Sequence, residues 1–162
     1  MDMDMNIKVN LPSDEQGFIG RECSKCHKYF KVKPGTGLST SICQCPYCGY
    51  IGDYNEFFTK DQIEYAKSIA SREVIGRIIE PEIRKLERGF KELERATRGG
   101  FIQIKVKTQR SAVRFPLKYY QEKEVETYVT CDNCGLEFAI YGVFANCPDC
   151  GKLNALIIFK KS

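Results

Sequence analysis

Histidine is nearly absent from this chain: His27 is the only one among 162 residues. The scarcity argues against the H-E-x-x-H chemistry of zinc hydrolases, and neither a G-x-S-x-G nucleophile elbow nor a Walker phosphate loop occurs. No apolar run approaches the ~20 residues of a membrane-spanning helix. The opening MDMDMN is acidic and lacks the basic n-region of a secretory signal. Together these absences point to a soluble, cytoplasmic, non-enzymatic protein with no membrane association. The apolar fraction of 43% is enough for ordered structure, which sets the chain apart from disordered ones.

Cysteine is what the chain has in excess. There are nine, an odd number that excludes complete pairing into intramolecular disulfides, and in a reducing compartment thiols serve more often as metal ligands. Eight fall into four C-x-x-C pairs: Cys23 with Cys26, Cys45 with Cys48, Cys131 with Cys134, and Cys147 with Cys150. The pairs form two four-cysteine sets far apart in the chain, and Cys43 is left over. Zinc takes four thiolates at tetrahedral corners, about 2.3 Å from each sulfur, and one C-x-x-C turn supplies one edge of that tetrahedron. Two sets therefore predict two zinc ions. Iron in a four-thiolate shell has the same spacing and stays open.

The local chemistry fits such turns. In CPYCG (45–49) and CPDCG (147–151) proline presets φ after the first ligand, and glycine after the second accommodates a left-handed backbone. CDNCG (131–135) keeps the glycine. In CSKCH (23–27) His27 takes that place, and histidine tolerates positive φ better than most residues. C-x-x-C-H is also the attachment signal of a c-type haem. That reading leaves CPYCG and the whole second quartet unexplained and requires export. His27 reads as a turn residue beside a complete shell, with replacement of a cysteine ligand as the alternative. Cys43, in the wrong spacing for a knuckle, reads as a small buried or surface thiol.

The two sets resemble zinc ribbons, in which cysteine knuckles at the tips of β-hairpins clamp one structural zinc. The resemblance covers 18–53 and 128–159. It implies two β-hairpin zinc ribbons, and with the helical and β signals of the residues between them the chain reads as a small α+β fold: two ribbons separated by a helical segment, with a β-rich C-terminal part. The expected domains are a ribbon at 1–58, a helical segment at 59–98 and a β-rich ribbon domain at 99–162.

Between the ribbons FFTKDQI carries a helix start, with Thr59 as N-cap, Gln62 as its capping-box partner and Phe58 stapled to Ile63. A helix should begin near Lys60 and run to about Ile79, where Pro81 suits the first turn of a second helix ending before Gly99-Gly100. A kinked continuous helix has the same signature. Ile79, Ile83, Leu86, Phe90 and Leu93 lie on one face of the second helix, as a homodimer seam or as packing against the protein's own ribbons. KYFKVK (28–33) alternates like a half-buried strand, FIQIKVKT (101–108) and VRFPLKYY (113–120) carry β signals, and ALIIF (155–159) reads as a buried strand.

The net charge of +4 lies mainly in 101–130, which holds six positive and three negative side chains. Lys105 and Lys107 belong to its basic cluster. Arg84, Arg88 and Arg95 recur along the second helix as a stripe that could track phosphates, or as a solvated face balanced by Glu80, Glu87 and Glu94. With Lys28, Tyr29 and Lys31 of the first ribbon they are the candidate nucleic-acid contacts. Two functions follow: a zinc-finger-like nucleic-acid-binding module, slightly preferred, and a protein adaptor or scaffold subunit of a larger assembly.

Overall fold

The computed structural model describes residues 7–100, 105 and 116–155. Among the described residues eight short strands make four hairpins. They are β1 (Ile19–Glu22) with β2 (Tyr29–Val32), β3 (Ile42–Gln44) with β4 (Ile51–Asp53), β5 (Thr127–Thr130) with β6 (Glu137–Ile140), and β7 (Phe144–Asn146) with β8 (Leu153–Ala155). Each pair is antiparallel and each hairpin turns through one C-x-x-C pair. The molecule is thus a small α+β protein whose strands sit beside the cysteine sets.

Strands β5 to β8 repeat β1 to β4 residue for residue, at one offset for the first hairpins and another for the second. The offsets differ because 33–41 between β2 and β3 is longer than 141–143 between β6 and β7. The repeats pair with each other. β2 lies against β6, with Lys31 opposite Ala139 and Val32 opposite Phe138, so the first hairpins merge into one four-stranded sheet of order β1-β2-β6-β5. A lone ribbon has little core of its own. Here Phe30 and Val32 from one repeat and Phe138 and Ile140 from the other are buried in a single cluster, which also contains Cys23, Cys45, Cys131 and Cys147. The pairing also satisfies backbone groups that each edge strand would otherwise leave open.

The chain divides into two compact units, Asn10–Glu64 with Tyr119–Ser162, and Met1–Val9 with Tyr65–Lys118. Both four-cysteine repeats belong to the first unit, and most of the helical stretch belongs to the second. The reason is the β2–β6 pairing, which joins segments that the helical stretch separates in sequence.

The helix α1 (Lys60–Val74) begins where its cap predicts. The Thr59 amide donates to Gln62 Oε1 at 3.1 Å and the Gln62 amide to Thr59 Oγ1 at 3.2 Å, a reciprocal capping box. Buried Gln62 also donates from Nε2 to the Gly20 carbonyl at 2.8 Å, fastening this first turn to β1. The expected break at Pro81 is not seen. Helical backbone continues through a wide π turn at Ile75–Ile79, where the Glu80 amide bonds the Ile75 carbonyl, into α2 (Glu80–Ala96). The wider turn immediately precedes the proline, where a regular helix would meet a ring clash and lose a donor. Ile79, Ile83, Leu86, Phe90 and Leu93 are all exposed, so the seam on α2 is not covered by the described residues. The strands expected within 101–104 and 106–115, and all but Ala155 of the run ALIIF, lie outside the described residues.

Candidate metal centres

All four C-x-x-C turns are built alike. In each, the residue after the second cysteine donates its amide to the carbonyl of the first: His27 to Cys23, Gly49 to Cys45, Gly135 to Cys131 and Gly151 to Cys147, at 2.8–3.0 Å. The first cysteine's amide returns to the carbonyl of the next residue along, Lys28, Tyr50, Leu136 or Lys152. Closing so tight a loop requires positive φ at the donor, which is 57° at His27, 76° at Gly49 and Gly135, and 72° at Gly151. This is why three of the four are glycine, and it gives His27 the backbone role of a glycine.

The turns meet in pairs. Cys23, Cys26, Cys45 and Cys48 form one cluster and Cys131, Cys134, Cys147 and Cys150 the other, with the sulfurs of each set all within 4.8 Å of one another. Sγ of Cys23 lies 3.7 Å from Cys48 and Sγ of Cys26 lies 3.6 Å from Cys45, two opposite edges of a tetrahedron. In the second set Cys131 to Cys150 is 3.6 Å and Cys134 to Cys147 is 3.5 Å. A tetrahedral ion with bonds of about 2.3 Å needs sulfur–sulfur edges of roughly 3.8 Å. The separations are also far beyond a disulfide bond of about 2.05 Å. Each set therefore fits a metal ion, and the donor chemistry suits a thiophilic one. When bound, such an ion would staple two hairpins together. Four thiolates would fill the tetrahedral shell of such an ion.

Between the centres the two repeats are clasped symmetrically. The Gln44 amide donates to the Pro148 carbonyl at 2.7 Å, and its counterpart Asn146 donates to Pro46 at 3.0 Å. Tyr47 and Asp149 occupy the same position of CPYC and CPDC, and each reaches into the other repeat. The Tyr47 hydroxyl accepts from the Tyr141 amide at 2.9 Å, and Asp149 Oδ2 accepts from the Leu38 amide at 2.8 Å. These clasps were not read from the sequence. The signal for them was the recurrence of one motif position in both sets.

Cys43 stands outside both clusters. It is fully buried, its counterpart in the second repeat is buried Ala145, and burial pushes its thiol up to about 12 against the opposing pull of Arg21. It is a small core residue, where its spacing left both a buried and a surface thiol open.

Of the other expected contact residues, two are turned inward. Tyr29 and Lys31 are buried, against the expectation of a half-buried, solvent-touching strand, because β2 is a central strand covered on both faces. Lys31, only 3% exposed, is paired with Asp14 at 2.7 Å. Burial pushes the Asp14 carboxyl up, but the hydrogen bonds from Lys31 and from the Phe18 and Gln16 amides outweigh it and hold the group below its usual range. The Tyr29 hydroxyl donates to Glu122, and burial together with that carboxylate drives the phenol well above its ordinary value. Lys28 stays exposed with Nζ 5.3 Å above the Tyr47 ring, and Lys25 lies 5.1 Å above Tyr50. Arg84, Arg88, Arg95 and Lys105 are exposed, and Arg84 is 3.6 Å from Glu80. Lys107 lies outside the described residues. No helix among the described residues is long and apolar enough to cross a membrane.

Compared with protein-family models, curated proteins and solved structures, the chain finds no match in any of the three. The identification the molecule supports is at the level of its centres: two four-cysteine sites, each able to hold a metal ion, in hairpins consistent with zinc ribbons.

Proposed function

We propose that the protein is a non-enzymatic, zinc-stapled module that binds another protein. One observation carries the reading. Ile51 and Leu153 hold the same position in the two repeats, and both are exposed, at 60% and 62%. Their hairpins repeat the arrangement with exposed Ile42 and Phe144. An apolar residue left in water once is ordinary, but the same strand position left apolar twice in one duplicated body favours a contact surface. The closed all-cysteine shells favour a structural over a catalytic use of metal.

Nucleic acid is the second reading. It is favoured by exposed Arg84, Arg88 and Arg95 on α2 and by Lys25 and Lys28 above their tyrosines, and weakened by the burial of Tyr29 and Lys31. Fluorescence anisotropy with labelled single- and double-stranded oligonucleotides at two salt concentrations separates the two. The adaptor reading expects no binding at low salt, and a partner recovered from cells that survives nuclease and is lost in an Ile51→Glu, Leu153→Glu variant. Oligonucleotide binding that weakens by about 0.7–0.9 in log–log slope per phosphate contact, and flattens on charge reversal of Arg88 and Arg95, would establish the nucleic-acid reading instead.

A further inference from the structure

The apolar seam of α2 has flanks of one sign. Taking Ile83 and Phe90 as heptad positions a, and Ile79, Leu86 and Leu93 as d, positions e are Glu80, Glu87 and Glu94. Positions g are Glu82, Gly89 and Ala96, so no basic residue occupies e or g; from positions b and c Arg84 lies 3.6 Å from Glu80 and Lys85 2.6 Å from Glu82, as exposed pairs within the helix. The arginines and lysines sit farther round, Arg84, Lys91 and Arg98 at b and Arg88 and Arg95 at f. The five seam residues are 42–63% exposed.

A second copy of the chain is a poor occupant of this face. In a parallel pair Glu82 of one helix would meet Glu87 of the other, and Glu94 would meet only Gly89. In an antiparallel pair e faces e, glutamate against glutamate. Both arrangements set like charges beside the apolar contact, and such juxtaposition is what proteins use to reject a wrong partner. We propose instead that the α2 seam docks a helix of another protein that carries apolar a and d residues bordered by lysine or arginine. The small residues Gly89 and Ala96 on the g side leave room for the long stems of those cations to lie across the seam. The proposal rests on α2 alone and stands or falls separately from the exposed hairpin residues of the ribbon unit.

The test uses the full-length, metal-loaded chain and three fluorescein-labelled helical probe peptides. One has Ile and Leu at a and d with Lys at e and g, the second has Glu at e and g, and the third is a scramble of the first. Anisotropy should show the Lys-flanked probe binding at least tenfold more tightly than either of the others. The Leu86→Glu, Phe90→Glu variant should lose that binding. The triple variant Glu80→Lys, Glu87→Lys, Glu94→Lys should reverse the preference toward the Glu-flanked probe; all three positions are on the surface, and circular dichroism checks that the helix is kept. Since the chain carries net +4, indiscriminate charge attraction would not favour a basic peptide. The proposal is overturned if no probe binds, if the scramble binds equally, if the triple variant keeps the original preference, or if the chain alone sediments as a dimer that Leu86→Glu abolishes. Loss of peptide binding in the Ile51→Glu, Leu153→Glu variant would also overturn it, by placing the contact on the ribbon unit.

Discussion

Replacing Cys147 by serine should weaken metal binding at a centre to which Cys147 contributes nothing. The substitution removes one ligand of the second set, and metal binding supplies much of the folding free energy of a small ribbon, about 10–16 kcal/mol for structural zinc at neutral pH. With that ribbon unfolded, β2 loses its partner strand β6, and Val32 loses the Phe138 that faces it across the sheet. Phe30 loses its neighbours from the other repeat but keeps Tyr47 and Phe57, whose ring centroids lie 6.5 and 6.0 Å away. Counting Val32 in full and Phe30 in part, at roughly 1.5–3 kcal/mol for a fully buried side chain, the first ribbon loses about 2–4 kcal/mol. At 1.4 kcal/mol per decade that is about a 30- to 700-fold loss of apparent affinity at Cys23, Cys26, Cys45 and Cys48. Competition against a colorimetric chelator, with metal content from elemental analysis, measures it. Two ribbons that fold independently would give a C147S protein holding one ion with the first site's wild-type affinity, and that outcome would refute the coupling.

The remaining predictions concern single features of the ribbon unit. The purified chain should hold two metal ions, and elemental analysis near one per chain, or a haem absorption band, would contradict the quartet reading. Asp14→Asn leaves Lys31 charged and buried, so urea denaturation should show a loss of about 3–5 kcal/mol. Because the folded Asp14 carboxyl is held below its unfolded value near 3.9, the contribution is present above that pH and lost as pH falls through the folded value. The gap between wild type and D14N should therefore stay constant from pH 8 down to about 5, and a gap already narrowing at pH 7 would point to another group. His27→Gly should keep both metals and raise stability by about 0.5–1 kcal/mol by relieving a non-glycine residue at positive φ, whereas loss of a metal would make His27 a ligand. Cys43→Ser should likewise keep both metals, at about 1–3 kcal/mol for burying a hydroxyl in an apolar site.

What the sequence determined by itself is local. A C-x-x-C turn closes within six residues, so the glycines of CPYCG, CDNCG and CPDCG, and the stand-in His27, specify four knuckles through short-range chemistry alone. Thr59 and Gln62 marked the start of α1 for the same reason, since a capping box spans three residues. Pro81 was harder to read, because a π turn one residue earlier lets the helix continue and leaves no residue signature of its own. The tertiary structure alone decided that the two ribbons are one body. Taken alone, the first hairpin of each repeat would leave β2 or β6 as an edge strand whose backbone groups would pair with many partners, and only the joint fit of Phe30, Val32, Phe138 and Ile140, together with the crossed clasps of Tyr47 and Asp149, selects β2 against β6. That choice turned Tyr29 and Lys31 from expected contacts into buried residues. Burial on both faces of a strand follows from which strand lies beside it and what covers it, and the side-chain pattern of KYFKVK records neither.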